Sequence, residues 1–330
     1  RKIVVWTGRL VVLLLALFAL AVLYLNTGSG RQFIVDRIAR VAPASGLKVS
    51  VGRIEGSVLW NATLYDVKFR DARGKLFLTV PAVELNWRPY KFPFSGLDVR
   101  ALVLHDGTLY AKPKLNPGNP SAPTLPNFDI RVDRFVVDNL TVAKGVLGEE
   151  RHVDFQARAH VHRGLVKLDA KGQLGGGHRF TAMVTAEPDG NVFDLDLDYR
   201  APKGGLLASL TGTKHDTRVR LLGDGTWRTW SGAFVAREDG QRVAALKLYN
   251  RAGHYRLSGL VWHRDYLTGL SARALGDSTA IALVGTLKNS VLKGSAALRG
   301  AGVRLDANGG VDLGKNAFNN VRLKIDLVDQ

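Results

Sequence analysis

The stretch NVFDLDLDY, residues 191–199, alternates apolar and acidic side chains. Successive side chains of a β-strand point to opposite faces, so this alternation predicts a strand with one apolar face and one wet face. The segment VRLKIDL, residues 321–327, repeats the two-residue period. A sheet of such strands must hide its apolar face against a second sheet, in a closed barrel or by rolling into a trough. The side chains that the pattern assigns to an apolar groove are Val49, Val51, Leu64, Phe193, Leu195, Leu197, Leu323 and Ile325.

The same period recurs over residues 46–330 in about fifteen short segments, separated by Gly, Asn, Asp and Pro. Short connections indicate antiparallel hairpins, and no internal helix is predicted. Residues 111–129 contain five prolines and predict a mobile loop. At about 4.8 Å per strand the sheet would run to roughly 70 Å, too long for one compact sandwich. The sequence therefore predicts an all-β fold, an elongated, curled, antiparallel-type sheet that forms an open trough with an apolar groove. Because the sequence ends in a strand-like segment, the sheet is expected to continue in a longer protein.

Residues 10–25, LVVLLLALFALAVLYL, contain no charged side chain. Extended back to Ile3, this run has about the length that crosses a bilayer core of roughly 30 Å. A cleaved signal peptide is the alternative, but no small-x-small cleavage pattern follows the run. Residues 1–27 are therefore predicted to form a retained transmembrane helix. Arg1, Lys2 and Arg9 lie on the amino side of the apolar run, which predicts a single-pass inner-membrane protein with a cytoplasmic amino terminus and a periplasmic body.

Residues 28–45 predict a short amphipathic helix, because Phe33, Ile34 and Ile38 recur at helical spacing and Pro43 follows them. Such a helix could cap an exposed sheet edge, or it could lie on a membrane surface. For the second role, the side chains expected to contact anionic lipid head groups are Arg31, Arg37 and Arg40.

The charge balance is strongly basic, with a net charge of +17. The basic residues are spread singly along alternating segments, whereas nucleic-acid-binding proteins concentrate them in a patch. Nucleic acid is therefore not an expected partner, and two explanations stay open: a solvated sheet face and attraction to anionic lipid head groups. The sequence has no Cys, which excludes disulfides, thiolate metal sites and cysteine nucleophiles.

The polar residues form no recognisable catalytic motif. Asp194, Asp196 and Asp198 have the sequence spacing of calcium ligands, but alternate residues of a strand lie about 7 Å apart. The Gly and the distal Glu of a calcium loop are also missing. His160 and His162 lack a neighbouring carboxylate cluster. The sequence predicts no enzyme, no cofactor and no metal site.

Four motifs follow one another in the first third of the chain. They are TGSGRQFIVDRI at residues 27–38, LKVSVGRIEGSVLWNATLYDVKFRDARGKLF at 47–77, VELNWRP at 83–89 and LDVRALVLHDG at 97–107. In this order, and behind the apolar run, they resemble the amino-terminal part of the TamB family of translocation and assembly module proteins, within the AsmA-like group. Beyond residue 110 only the strand pattern is similar. The carboxy-terminal domain with which that family engages an Omp85-type outer-membrane protein has no counterpart here.

The resemblance implies a membrane-anchored periplasmic bridge whose taco-shaped sheet passively conducts phospholipids along a hydrophobic groove from the inner to the outer membrane. Its partners would be phospholipid acyl chains, the inner membrane and, through the missing region, an Omp85-type protein. The alternative is a scaffold or chaperone of the translocation and assembly module for insertion of outer-membrane proteins or autotransporters. In that role the open sheet edge would pair with client strands. A structural spacer is a third interpretation.

Overall fold

Strands account for most of the chain in the computed structural model, which describes residues 27–40, 45–116, 125, 128–188, 190–204, 213–263, 266–288, 291–312 and 317–328. The chain divides into two units. Unit 1 comprises residues 1–163 and 172–175, and unit 2 comprises residues 164–171 and 176–330. Strand β9, Leu165–Gln173, has residues in both.

Unit 1 combines eight strands with short helices in its described residues. In chain order they are α1 Gly28–Arg40, β1 Lys48–Ser50, β2 Arg53–Gly56, β3 Asn61–Arg70, β4 Leu76–Trp87, a 3-10 turn Pro89–Lys91, α2 Phe92–Ser95, β5 Leu97–His105, β6 Thr108–Leu109, β7 Ile130–Val142, α3 Lys144–Leu147 and β8 Arg151–His162. β1 and β2 both pair antiparallel with β3, which pairs antiparallel with β4. β4 pairs antiparallel with β5 and β6.

Two pairings in unit 1 are parallel: β7 runs in the same direction as β5, with Ile130 opposite Leu97, and in the same direction as β6. This corrects the expectation of antiparallel hairpins throughout. The cause is the long connection over residues 111–129, because a parallel pair needs a crossover of about a dozen residues or more. Residues 117–124 and 126–127 of that connection lie outside the described part of the chain.

Helix α1 packs on the two short strands at the beginning of the sheet. Its Val35 is buried in an apolar cluster with Val51 and Val80, and Ile34 packs against the same cluster. Phe33, in contrast, is 51% exposed and faces away from it. The helix therefore lies against β1 and β2, and its contact face does not include Phe33. Its role as a cap on an exposed sheet edge stays a prediction. The helix ends at Arg40, and Pro43, which was expected to end it, lies outside the described residues.

Unit 2 is a meander in which each strand from β10 to β19 pairs antiparallel with the next. Its elements are β10 Arg179–Ala186, β11 Phe193–Ala201, β12 Thr217–Gly225, β13 Thr229–Glu238, β14 Gln241–Arg251, β15 His254–Trp262, α4 Gly269–Leu275, β16 Ser278–Lys288, β17 Val291–Arg299, β18 Val303–Asp312 and β19 Ala317–Leu327. The prediction of an all-β fold with antiparallel pairing is confirmed.

The two-residue hydrophobic period does not identify β13 and β17. In β13, Gly232 and Ala236 occupy positions where a predicted strand would carry large apolar residues. In β17, Gly294 and Ala296 do the same. Small residues weaken the hydrophobic signal, although their backbone groups pair as those of any other residue do.

Within the described residues, no helix is long and apolar enough to cross a bilayer. The longest helix, α1, has 13 residues, whereas a membrane span needs about 20 apolar ones. The prediction of single-pass anchoring in the inner membrane is contradicted by this finding. The segment predicted to form the transmembrane helix, residues 1–27, lies outside the described residues except for Thr27.

The contact between α1 and the sheet can be tested by comparing two apolar residues of the same helix. We expect Val35→Ala to lower the free energy of unfolding by about 1–2 kcal/mol, since it removes buried methyl groups. Phe33→Ala removes a larger side chain from an exposed position and should change it by less than about 0.5 kcal/mol. Chemical denaturation of both variants measures the difference, and an equal loss in both would contradict the described packing.

Asp98 is buried at the beginning of β5 and contacts two basic side chains that precede the strand. Its Oδ2 accepts a hydrogen bond from Lys91 Nζ at 3.0 Å and lies 3.4 Å from Arg88 Nη1. Burial raises the pKa of Asp98, but the hydrogen bond and charge of Lys91 and the charge of Arg88 outweigh it. The pKa therefore lies below its ordinary value, and the ionised carboxylate stabilises unit 1.

We expect Asp98→Asn to lower the free energy of unfolding at neutral pH by about 1–2 kcal/mol, since charge-assisted hydrogen bonds are lost. Because the folded pKa is lowered, this contribution is complete above the ordinary pKa of 3.8 and is lost as the pH falls through the folded value. Denaturation as a function of pH should therefore show that the free energy of unfolding falls more at acidic pH in the wild type than in the variant. Glu55→Gln, at the exposed pair with Arg53, is the control and should have little effect. Identical pH profiles for wild type and Asp98→Asn would refute this role.

Candidate apolar binding face of unit 2

One face of unit 2 is apolar from β10 to β19, because the register places apolar residues opposite one another and opposite residues project to the same side. One row of such residues is Ala182, Leu197, Leu221, Phe234, Leu246, Gly259, Ile281, Leu298, Leu305 and Ile325. The neighbouring row is Val184, Leu195, Gly223, Gly232, Leu248, Leu257, Leu283, Ala296, Ala307 and Leu323. We call the surface that these two rows form the apolar face.

The opposite face of the same strands carries paired charges. Arg218 donates hydrogen bonds to both carboxylate oxygens of Asp198, and Arg220 Nη2 lies 3.3 Å from Asp196 Oδ2. The hydrogen bond from Arg218 lowers the pKa of Asp198 and outweighs the smaller rise that burial causes. These pairs place Asp196 and Asp198 with basic side chains on the polar face, on the side away from Leu195 and Leu197.

Aromatic side chains surround a cavity at one end of the apolar face. Phe193 stacks on Trp227 with ring centroids 4.2 Å apart, and the centroid of Trp230 lies 5.9 Å from that of Phe193. The cavity has a volume of about 480 Å³. Its lining also includes Leu248, Tyr255, Leu257, Leu283, Leu287 and Leu292. In a flat sheet, six spacings of about 4.8 Å would separate β11 from β17 by about 29 Å. Residues of these two strands line the same cavity, so the apolar face is concave here.

Three hydrogen bonds fix the turn between β12 and β13, which carries Trp227. Its Nε1 donates to the backbone oxygen of Glu187 at 2.8 Å, and its own backbone oxygen accepts from Asn250 Nδ2 at 2.8 Å. The backbone N–H of Gly225 donates to Asp194 Oδ1 at 3.2 Å. Trp227 is therefore held over Phe193 even though it is 42% exposed.

Trp230 lies over two glycines of the apolar face. A Cβ atom added at Gly223 would lie 1.9 Å from Cζ2 of Trp230, and one added at Gly232 would lie 2.5 Å from its Cη2. Any larger residue at either position would collide with the indole ring. The absence of a side chain at these two positions therefore provides the space in which the ring forms one wall of the cavity.

A second apolar hollow, of about 190 Å³, lies further along the same face. Gly294 and Gly309 are part of its lining, and both carry no side chain that would fill it. Leu283 and Leu292 line the hollow and also the aromatic cavity. The two spaces therefore adjoin, and an extended apolar ligand could occupy both.

The structure places five of the predicted groove residues in unit 2. Phe193 lines the aromatic cavity, while Leu195 and Leu197 lie on the apolar face of the same strand. Leu323 and Ile325 continue the two rows on β19, where their exposure is 63% and 60%.

The other three predicted groove residues belong to unit 1. Val51 is 6% exposed in the cluster beneath α1, and Val49 and Leu64 pack against that cluster. Val51 is therefore corrected as a core residue, and Val49 and Leu64 as residues that pack against this core; none of the three is part of the apolar face of unit 2.

The predicted membrane-surface residues all lie on α1. Arg37 is exposed, and Arg31 Nε donates to the backbone oxygen of Thr27 at 3.3 Å. Arg40 is the last residue of the helix, and its side chain lies outside the described residues. Their contact with anionic head groups stays a prediction.

Sequence reasoning missed Trp227, Trp230 and Tyr255 as candidate site residues. Trp227 lies in the turn between β12 and β13, where no hydrophobic period extends, and Trp230 and Tyr255 lie at the beginning of β13 and β15. The available signal was compositional: two tryptophans three residues apart, beside a glycine that permits a sharp turn.

Within the part of the chain that the structure describes, no group of three or more His, Cys, Asp or Glu side chains could hold a metal ion. The rings of His160 and His162 lie 6.0 Å apart, and His162 Nδ1 lies 2.6 Å from Asp129 Oδ2. The hydrogen bond at this site is therefore between His162 and Asp129, and His160 lies beside it.

Comparison with protein-family models, with curated proteins and with solved structures finds no match to this chain.

The fit between Trp230 and the glycines can be tested with a double-mutant cycle. We expect Gly223→Ala to lower the free energy of unfolding by about 1–3 kcal/mol, because the added methyl group collides with the indole ring. In a Trp230→Ala background the same change should cost much less, since the ring is gone. Chemical denaturation followed by circular dichroism measures the coupling, and additive effects of the two changes would contradict the geometry.

Proposed function

We propose that unit 2 binds the acyl chains of phospholipids on its apolar face and conducts them passively along it. The observation that carries this proposal is the continuity of two apolar rows across ten strands, together with a cavity that adjoins a second hollow. In this proposal the concave face is one section of a longer, curled trough. Membership of the TamB family, which the sequence motifs suggest, is part of the same proposal.

The energetics favour a long apolar ligand. Each methylene group that leaves water for an apolar surface contributes about 0.8 kcal/mol. The two rows contain no charged side chain, so a chain that lies on them meets no polar group that would lose its hydration. Successive positions along the rows resemble one another chemically, which keeps the free energy nearly constant as the chain slides. No covalent step is required, and the protein would act as a conduit and not as an enzyme.

A second candidate function is a scaffold for the insertion of outer-membrane proteins. It is favoured by the exposed apolar side chains of β19, the strand that pairs antiparallel with β18. Leu327 of this strand is 80% exposed. An unpaired edge with apolar side chains can accept a client strand through backbone hydrogen bonds. Proline substitutions along that edge would disable such a scaffold, whereas they would leave the acyl chains on the apolar face untouched.

The conduit proposal is tested by placing a charge on each face of one strand. Leu257→Asp introduces a carboxylate into the lining of the aromatic cavity, and we expect transfer of a fluorescent-acyl phospholipid between vesicles to fall at least about tenfold, because a charge in an apolar path is costly. Leu260→Asp is the matched control: it lies on the same strand but on the opposite face, where the leucine is 40% exposed. Its transfer rate should stay within about twofold of the wild type.

Both variants must first show the circular dichroism and the unfolding transition of the wild type. If the folded Leu257→Asp variant transfers lipid normally, or if both variants lose transfer equally, the apolar face is not the conduit. Normal lipid transfer combined with loss of outer-membrane protein insertion in the edge-proline variants would favour the scaffold instead.

A further inference from the structure

The polar face of β14 and β15 carries basic side chains, and these two strands contain no acidic side chain that would neutralise their charge. The sequence from residue 241 to 262 contains no Asp or Glu, and neither do residues 278–305. On β12 and β17 of the same face, Arg218 is paired with Asp198 and Arg299 with Asp306. In the described chain, by contrast, no ion pair involves the basic residues of β14 and β15, which are Arg242, Lys247, Arg251, His254 and Arg256.

These side chains are arranged as three consecutive cross-strand pairs. The register places Lys247 opposite Ser258, Tyr249 opposite Arg256 and Arg251 opposite His254. Every pair projects to the same face and combines a basic side chain with a second group that can donate a hydrogen bond. The six residues line one cavity of about 610 Å³, which we call the basic cleft.

The basic side chains of the cleft repel one another. Like charges opposite or diagonal to one another across a strand pair destabilise the sheet. An anion with several acceptor oxygens relieves this repulsion and accepts hydrogen bonds from the donors of the cleft. Phosphate is well matched, because guanidinium groups bind its oxygens through two parallel hydrogen bonds and ammonium groups through their charge.

The basic cleft adjoins the aromatic cavity. Tyr249, Tyr255 and Arg256 belong to the lining of both. The strands meet here at the β14–β15 hairpin, whose turn residues Ala252 and Gly253 have φ values of 52° and 85°. A molecule can therefore contact the apolar lining and the cationic lining around this hairpin without leaving the protein surface.

We propose that the basic cleft binds the phosphate group of an amphiphile whose acyl chain lies in the aromatic cavity. This inference rests on the proposed function and adds to it a head-group site, and with it a preference for lipids that carry an exposed phosphate. Arg251 and Arg256 donate to the phosphate oxygens, and Lys247 and His254 supply further donors. The site selects the ligand by charge, while the apolar face holds its chain.

The test measures binding of two fluorescent lipids with the same acyl chains, phosphatidylglycerol and diacylglycerol, to the full chain. We expect phosphatidylglycerol to bind about tenfold tighter, as expected for two charge-assisted hydrogen bonds. In the double variant Lys247→Gln/Arg251→Gln, whose two side chains line the basic cleft and not the aromatic cavity, phosphatidylglycerol should lose its preference over diacylglycerol, and diacylglycerol affinity should not change. The double variant Arg304→Gln/Arg322→Gln removes the same charge from β18 and β19 and should preserve the preference.

Each alternative outcome has one meaning. Equal affinity for the two lipids in the wild type would overturn the head-group site while leaving the apolar face intact. A failure of both lipids to bind would overturn the proposed function itself. If the preference falls equally in both double variants, non-specific electrostatic attraction between the basic protein and the anionic lipid explains the preference, and the cleft is not a binding site.

Glycerol phosphate, which has no acyl chain, should bind at least about a hundredfold more weakly than phosphatidylglycerol. Equal binding of glycerol phosphate would make the cleft a site for free phosphate esters and overturn the proposal.

Discussion

Antiparallel hydrogen bonding from β10 to β19 holds all strands of unit 2 in a register that matches their alternation, and the separation of apolar from polar side chains depends on it. A slip of one residue between two strands would move every side chain of the later strand to the other face. The register shifts in this unit occur near Ala236 and Arg237, close to the end of β13, and between Asn308 and Gly310. The rows on either side of these positions remain apolar, so the face is continuous across both irregularities.

The two faces differ chemically, because ion pairs form on the polar face and small residues leave space for aromatic side chains on the apolar face. On the polar face, Arg218 and Arg220 meet the carboxylates of Asp198 and Asp196. On the apolar face, glycine positions provide the space: Gly223 and Gly232 make room for Trp230, and Gly294 and Gly309 line the second hollow. The hydrogen-bonded turn at Trp227 adds a rigid aromatic wall. Concavity, an apolar surface and a nearby cationic cleft therefore arise from one meander with local changes in side-chain size.

The sequence predicts the strands whose alternation is strong and not those whose apolar positions hold small residues. Residues 193–197 identify both the strand and its apolar side. Gly232 and Gly294 conceal β13 and β17, because a missing side chain leaves no hydrophobic signal while the backbone still pairs. The parallel pairing of β5 with β7 depends on a long connection whose path no local pattern specifies.

The candidate site was only partly predictable for the same reason. Phe193 is identified by its strand, but its contact with Trp227 joins residues that are distant in sequence and depends on the register of β11 with β12. Val51 shows the opposite error: its position suits an apolar face, and only tertiary structure shows that helix α1 covers it. Alternation thus indicates which side chains are apolar, whereas packing decides which of them remain open to a ligand.

Mass spectrometry of lipids that co-purify with the protein tests the central claim most directly. The account predicts that glycerophospholipid accompanies the folded wild-type chain in about equimolar or greater amount, and that it is absent from a folded variant with Asp at positions 195 and 197, where the aspartates interrupt both apolar rows. A folded wild-type protein that carries no lipid, or a folded variant that carries as much as the wild type, would contradict the account.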